Sequence, residues 1–202
     1  MTAITKLGIC AAALLLGLAA HAQIPSTGAL LVATGALSDP NFSESVVLLI
    51  RHNSNGTIGV VINRPTWVEP AQLLPELQDT HGDAGRVFFG GPVAPTRTVL
   101  LVREPPPDDV DNVPVLDGVY VSSSAEFLFD SDVDIANESR LRIYAGHAAW
   151  APGQLAAEIA EGSWSVVTGS SDLVFSRDPL RLWRDMESSN SGLIAGLAHG
   201  PR

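Results

Sequence analysis

Arg142-Ile143-Tyr144-Ala145-Gly146-His147-Ala148-Ala149-Trp150-Ala151-Pro152-Gly153-Gln154-Leu155 is where one periodicity gives way to another, and that switch decides how the second half of the chain folds. Leu141, Ile143 and Ala145 alternate with Arg142 and Tyr144, the period-two pattern of a half-buried strand. The pattern stops at Gly146. Pro152 suits the first position of a helix, because that N–H has no intrahelical partner to lose. Leu155 and Ile159 then share one helical face, and Gly162 ends the run. On this reading the amides of Gly153 and Gln154 leave a helix N-terminus, where an anion or a carbonyl can sit.

The rest of the chain reads outward from there. Residues 46–50 (Val-Val-Leu-Leu-Ile) form a continuous apolar run, suited to a strand covered on both faces. Asn53-Ser54-Asn55-Gly56 carries an Asn-Gly hairpin signal, so residues 57–62 are expected to return as the antiparallel partner. Asn63-Arg64-Pro65 ends that strand: Pro65 lacks a ladder donor and keeps Arg64 extended. Upstream, residues 28–33 read as a first strand, and Asp39-Pro40-Asn41-Phe42 as a turn that Asp39 caps.

Downstream, residues 71–77 suggest a short helix, while residues 87–89 and 98–102 suggest strands parted by Gly90-Gly91-Pro92. Residues 105–112 are a stiff charged loop, 119–121 a strand, 122–124 the cap of a short helix bearing Phe127 and Leu128, and 130–134 an acidic loop. Residues 164–167 supply a last strand, and Asp178-Pro179 opens a final helix through Trp183 and Met186. Strands dominate the first half and helices the second, without regular alternation, which favours an α+β fold.

Residues 1–22 have the layout of a secretory signal peptide. Lys6 closes a short basic start, residues 7–20 are apolar, and Ala20-His21-Ala22 is a small-x-small cleavage site. The expected organisation is therefore a signal peptide over 1–22, one domain over 23–187 and a loose tail over 188–202, with an exported, periplasmic location. Cys10 and Lys6 are the only cysteine and lysine, so the mature chain would contain neither. That excludes disulfides, thiolate nucleophiles, Schiff bases and a phosphate-loop lysine. The net charge of −10 opposes phosphate backbones, so direct nucleic-acid binding is not expected unless the arginines gather in one patch. No membrane attachment is expected after cleavage.

The motif negatives are informative. Neither a Gly-x-Ser-x-Gly elbow nor His-Glu-x-x-His is present, nor a Gly-x-Gly-x-x-Gly after a strand. Asp130, Asp132 and Asp134 copy the start of a calcium loop, but Ile135 and Leu141 stand where its glycine and glutamate belong. No catalytic residue, metal or cofactor is assigned.

The binding candidates lie at strand ends. Arg64 can hold a carboxylate or phosphate, with Asn63 beside it, against the alternative that both serve the local backbone. Gly90 and Gly91 allow a ligand-hugging or a purely packing turn. His147 and Trp150 offer a base and an apolar wall, or simply a packed histidine and a helix anchor. Gly153 and Gln154 complete the set.

Taken in order, these stretches resemble the YqgE/AlgH family, widespread bacterial proteins of unassigned activity. The resemblance rests on residues 28–33, Asp39-Pro40-Asn41-Phe42, Ser45-Val46-Val47, Gly59-Val60-Val61-Ile62-Asn63-Arg64-Pro65, Gly90-Gly91-Pro92-Val93 and Trp150-Ala151-Pro152-Gly153-Gln154-Leu155. It implies a single α+β domain with a mixed, bifurcated sheet that includes a small closed barrel, surrounded by helices. Departures from the pattern fall at Thr34-Gly35, His147, Ala149 and Ala156. Family members generally look cytoplasmic, and some are labelled transcriptional regulators. The reading carried forward is a non-catalytic module for a small anionic ligand or a protein partner. The alternatives are a small hydrolase or transferase using His147 and Arg64, and a transcriptional regulator.

Overall fold

A computed structural model describes residues 24–78, 85–103, 112–122, 128 and 134–198, with side chains as far as residue 189. The signal-peptide residues 1–22, the loop at 105–111, most of the capped segment at 122–128 and the acidic residues 130–133 lie outside them. Among the described residues the strands are β1 (Ala29–Ala33), β2 (Val46–Asn53), β3 (Gly56–Val61), β4 (Val87–Phe89), β5 (Val93–Val102), β6 (Asn112–Leu116), β7 (Val119–Ser122), β8 (Leu141–Trp150) and β9 (Trp164–Thr168). The helices are α1 (Pro70–Leu73), α2 (Gln154–Ala160), α3 (Ser171–Val174) and α4 (Pro179–Ala198). Pro75 stops α1 short, and residues 75–77 form a separate 3-10 turn that buries Leu77.

One sheet contains all nine strands, in the order β6-β7-β5-β8-β3-β2-β1-β9, with β4 joined to β8. The β2–β3 hairpin folds as its pattern predicts. Asn53 pairs with Gly56, and the Asn55 N–H donates to Asn53 Oδ1 at 2.9 Å. Strands β1 to β3 fill both faces: Leu30, Val32, Leu48 and Val60 pack into one core cluster, and Leu31, Val47, Leu49 and Val61 into another. Helix α4 joins the first cluster through Leu182 and Met186, and the Trp183 indole N–H donates to the Ala33 carbonyl at 2.7 Å.

Strand β8 departs from its sequence pattern in two ways. It does not stop at Gly146 but runs to Trp150. Its first half pairs with β5 on one side and, in parallel, with β4 on the other; its second half pairs with β3. Gly146, at φ 70°, lets the strand continue, because a Cβ there would lie 2.4 Å from the Gly91 carbonyl oxygen. β8 is also buried on both faces over residues 141–144, not half-exposed. Arg142 is tolerated inside because its guanidinium donates to the carbonyls of Glu138, Val174 and Ser176 and lies 4.8 Å from the centre of the Phe88 ring. Helix α2 in turn begins at Gln154, behind a left-handed Gly153, rather than at Pro152.

The closed barrel implied by the resemblance is not formed. The sheet curls through 233° and leaves a 10 Å gap between its edges. The end strands β6 and β9 make no ladder with each other, and Pro114 deprives the β6 edge of one donor. Helix α4 continues to Ala198, through the segment where composition suggests a loose tail.

Candidate functional site

The α2 segment links the end of β8 to the start of β9, and so brings Trp150 and Trp164 together. Their rings meet edge-on at 6.0 Å, and Phe42 from the 39–45 turn lies 6.0 Å from Trp150 and 5.9 Å from Trp164. Such offset and edge contacts are the favoured geometries of aromatic pairs. Glu158, one turn along α2 from Gln154, organises the cluster. Its Oε2 accepts both indole N–H groups, at 2.9 Å from Trp150 and 2.8 Å from Trp164, while its Oε1 accepts from the Gln154 amide at 2.9 Å. Over this cluster lies a cleft of about 340 Å³, walled by Asp39, Phe42, Trp150, Glu158, Glu161 and Trp164.

Of the predicted residues, Trp150 and Gln154 line this cleft, and Asn63 and Arg64 act on the loop that carries Phe42. Asn63 is buried and clamps the 41–46 loop: its Oδ1 accepts from the Val46 N–H at 2.8 Å, and its amide donates to the Glu44 carbonyl at 3.0 Å. Arg64 donates to the carbonyls of Asn41 and Ser43, both at 2.5 Å, so it holds the turn that presents Phe42. Partial burial lowers its pKa from the usual guanidinium value, opposed by the nearby Glu44 carboxylate. Gly90 and Gly91 pack on β8: a Cβ on Gly91 would lie 2.3 Å from the His147 carbonyl carbon.

Trp150 and Gln154 line the cleft directly. The side-chain Oε1 of Gln154 also accepts from the Ala151 N–H at 3.0 Å, closing the turn before α2. The Gln154 N–H itself donates to the Ala151 carbonyl at 3.1 Å, so that amide is occupied within the turn. Gly153, at φ 80°, has open space around its Cβ position, so its role is the conformation of the turn.

His147 sits at the margin. Its cross-strand neighbour is Val93 and it shares a strand face with Ala149; both of these line the cleft. Its pKa is lowered from 6.5, first by desolvation and then by the positive charges of Arg51 and Arg97. Among the described residues no carboxylate is hydrogen-bonded to the imidazole, and Arg64 is committed to the backbone carbonyls of Asn41 and Ser43. Among the described residues no group of three or more His, Cys, Asp or Glu could hold a metal ion.

Phe42, Glu158 and Trp164 were not among the predicted residues. The Gln154 and Glu158 spacing of four is a helix-face signal that sequence does offer. Nothing local says that two indoles converge on that carboxylate from eight residues before and six after it.

A half-barrel α+β domain with an aromatic, carboxylate-walled cleft defines a small single-sheet protein of unassigned activity. The chain belongs to the AlgH-like family (DUF179), whose model matches residues 30–193. It is 40% identical over 179 residues to a UPF0301 protein of Streptomyces avermitilis, covering 87% of this chain and 92% of that one. A UPF0301 protein of Streptomyces coelicolor is similar to the same extent, 40% over 179 residues. The solution structure of the AlgH protein from Pseudomonas aeruginosa superposes with a TM-score of 0.67 at 25% identity, covering 87% of this chain and 94% of that one. A crystal structure of a Corynebacterium diphtheriae protein gives a TM-score of 0.63, also at 25% identity, covering 81% and 86%.

Proposed function

We propose that this protein is a non-catalytic binding module whose cleft over Phe42, Trp150 and Trp164 receives an extended segment of a protein partner. The observation that carries the reading is the Glu158 carboxylate, which is spent on two indoles and an amide and so fixes the aromatic walls without remaining free for proton transfer. The charge of the walls also refines the ligand class. Asp39, Glu158 and Glu161 line the cleft, which disfavours the small anion suggested by sequence and favours an apolar side chain next to a basic one. A volume of about 340 Å³ is enough for one or two side chains.

Export to the periplasm belongs to the same proposal, supported by the sequence of residues 1–22; among the described residues no helix is long and apolar enough to cross a membrane. N-terminal sequencing of the protein purified from its native compartment tests it, with Gln23 the expected first residue. The binding reading is tested by selecting a displayed random-peptide library on the folded protein. Enriched peptides should pair an apolar with a basic residue and lose binding to Phe42→Ala. No enrichment, or enrichment that ignores Phe42→Ala, removes the cleft from consideration.

A further inference from the structure

The register of the sheet gathers positive charge beside the aromatic cleft. Arg51 on β2 is opposite Ile58 on β3, and Ile58 is opposite Ala149 on β8. Directly opposed residues of an antiparallel pair send their side chains to the same face. His147, two residues before Ala149, shares that face, and Val93 of β5 is opposite His147. Arg97 comes from the irregular stretch of β5 between Val93 and Thr98. Arg51 and Arg97 are both exposed, and both lie close enough to the His147 ring for their charges to lower its pKa. Neither arginine has a hydrogen bond or ion pair among the described residues.

The cleft next to them has the opposite sign. Asp39 and Glu161 are exposed on its rim, and the Glu161 carboxylate has no hydrogen bond or ion pair among the described residues. The two surfaces are continuous, because Val93 and Ala149 belong both to the cleft lining and to the face that carries His147 and Arg51. Trp150 alternates to the opposite face of β8 and also lines the cleft, which therefore reaches round this edge of the strand. The β5–β8 ladder ends at the Val93–His147 pair. Over residues 148–150, β8 thus has β3 alone as a strand neighbour among the described residues.

We infer that the partner segment carries an aspartate or glutamate close to its basic residue, and that this carboxylate seats on Arg51 and Arg97 beside His147. The inference rests on the reading of the cleft given above. An extended segment crossing this edge sends alternate side chains to opposite faces, so the acidic residue stands one or three positions from the basic one. Guanidinium forks match a carboxylate, and in a chain of net charge −10 two arginines without partners on one face are a local exception. A surface negative on one side of the strand edge and positive on the other fixes the direction of the segment and rejects wrong partners.

The test is the random-peptide selection run on the parent and on a double variant, Arg51→Gln with Arg97→Gln. On the parent, peptides that hold an apolar and a basic residue should also carry Asp or Glu one or three positions from the basic one. On the double variant that acidic preference should vanish while the apolar and basic pair persists. Exchanging the acid of one enriched peptide for its amide should weaken binding to the parent about fivefold, the upper range for one exposed ion pair, and to the double variant by less than about twofold. Both substitutions alter exposed side chains without structural partners, and an unchanged melting temperature secures the comparison. Apolar and basic peptides without the acid, or an equal loss on both proteins from the amide exchange, overturn this inference and leave the cleft reading standing. Acid-bearing peptides that ignore Phe42→Ala, or no enrichment at all, overturn both.

Discussion

Replacing Glu158 by alanine removes the acceptor of both cleft indoles. The Trp150 and Trp164 N–H groups, now 2.9 and 2.8 Å from Glu158 Oε2, would be left in partly buried positions without a partner. An orphaned buried donor costs about 1–3 kcal/mol, and the open cleft admits some water, so the lower half of that range applies to each. The exposed Gln154 contact adds little. The expected loss is about 2–4 kcal/mol, or a fall of about 4–16 °C in Tm for a domain of this size. Glu158→Gln separates hydrogen bonding from packing. Its amide oxygen can still serve both indoles, and its amide nitrogen meets only the exposed Gln154 end, so about 0.5–1.5 kcal/mol should be lost. Urea titration followed by indole fluorescence reads both variants, with the midpoint moving and the slope constant. An alanine variant within about 0.5 kcal/mol of the parent, or a glutamine variant worse than alanine, would refute the role given to Glu158.

Gly91→Ala drives a methyl group to 2.3 Å from the His147 carbonyl carbon at a glycine of φ 148°, and should cost roughly 3 kcal/mol or more in the same urea titration. Arg142→Lys keeps the charge but loses the fork that reaches three carbonyls, so chemical denaturation should register a loss of about 3 kcal/mol or more. The folded-state pKa of His147 lies below 6.5, so the unfolded chain takes up its proton first as pH falls. This group's contribution is therefore full above pH 6.5 and is lost as pH drops from there toward the lowered folded value. His147→Gln should flatten stability against pH in that window, and Arg97→Gln should raise the imidazole midpoint seen by NMR.

What the sequence made legible follows from how local the deciding forces are. The β2–β3 hairpin is readable because its apolar runs and its Asn-Gly turn act within a few residues of one another. The strand β6 was not, because Pro114 interrupts Val113 and Val115; a proline is tolerated there since β6 is an edge strand with one unpaired side. Gly146 reads as a stop from sequence, yet the contact that makes it a continuation comes from Gly91, far along the chain. Arg64 reads from sequence as a candidate for holding a ligand, but the carbonyls it holds lie 21 and 23 residues away, and no spacing rule names them. The barrel stayed open because closure requires the outermost strands to meet, which is a matter of curvature over the whole sheet.

Docking of another polypeptide in the cleft over Phe42, Trp150 and Trp164 can be read directly. A photo-crosslinking side chain at the exposed Ala149, which lines the cleft, and another at Ser54 in the hairpin loop test it in intact cells. One discrete polypeptide adduct is expected from position 149, abolished by Phe42→Ala, and none of that size from position 54. No adduct at 149, or the same adducts from both positions, would contradict it.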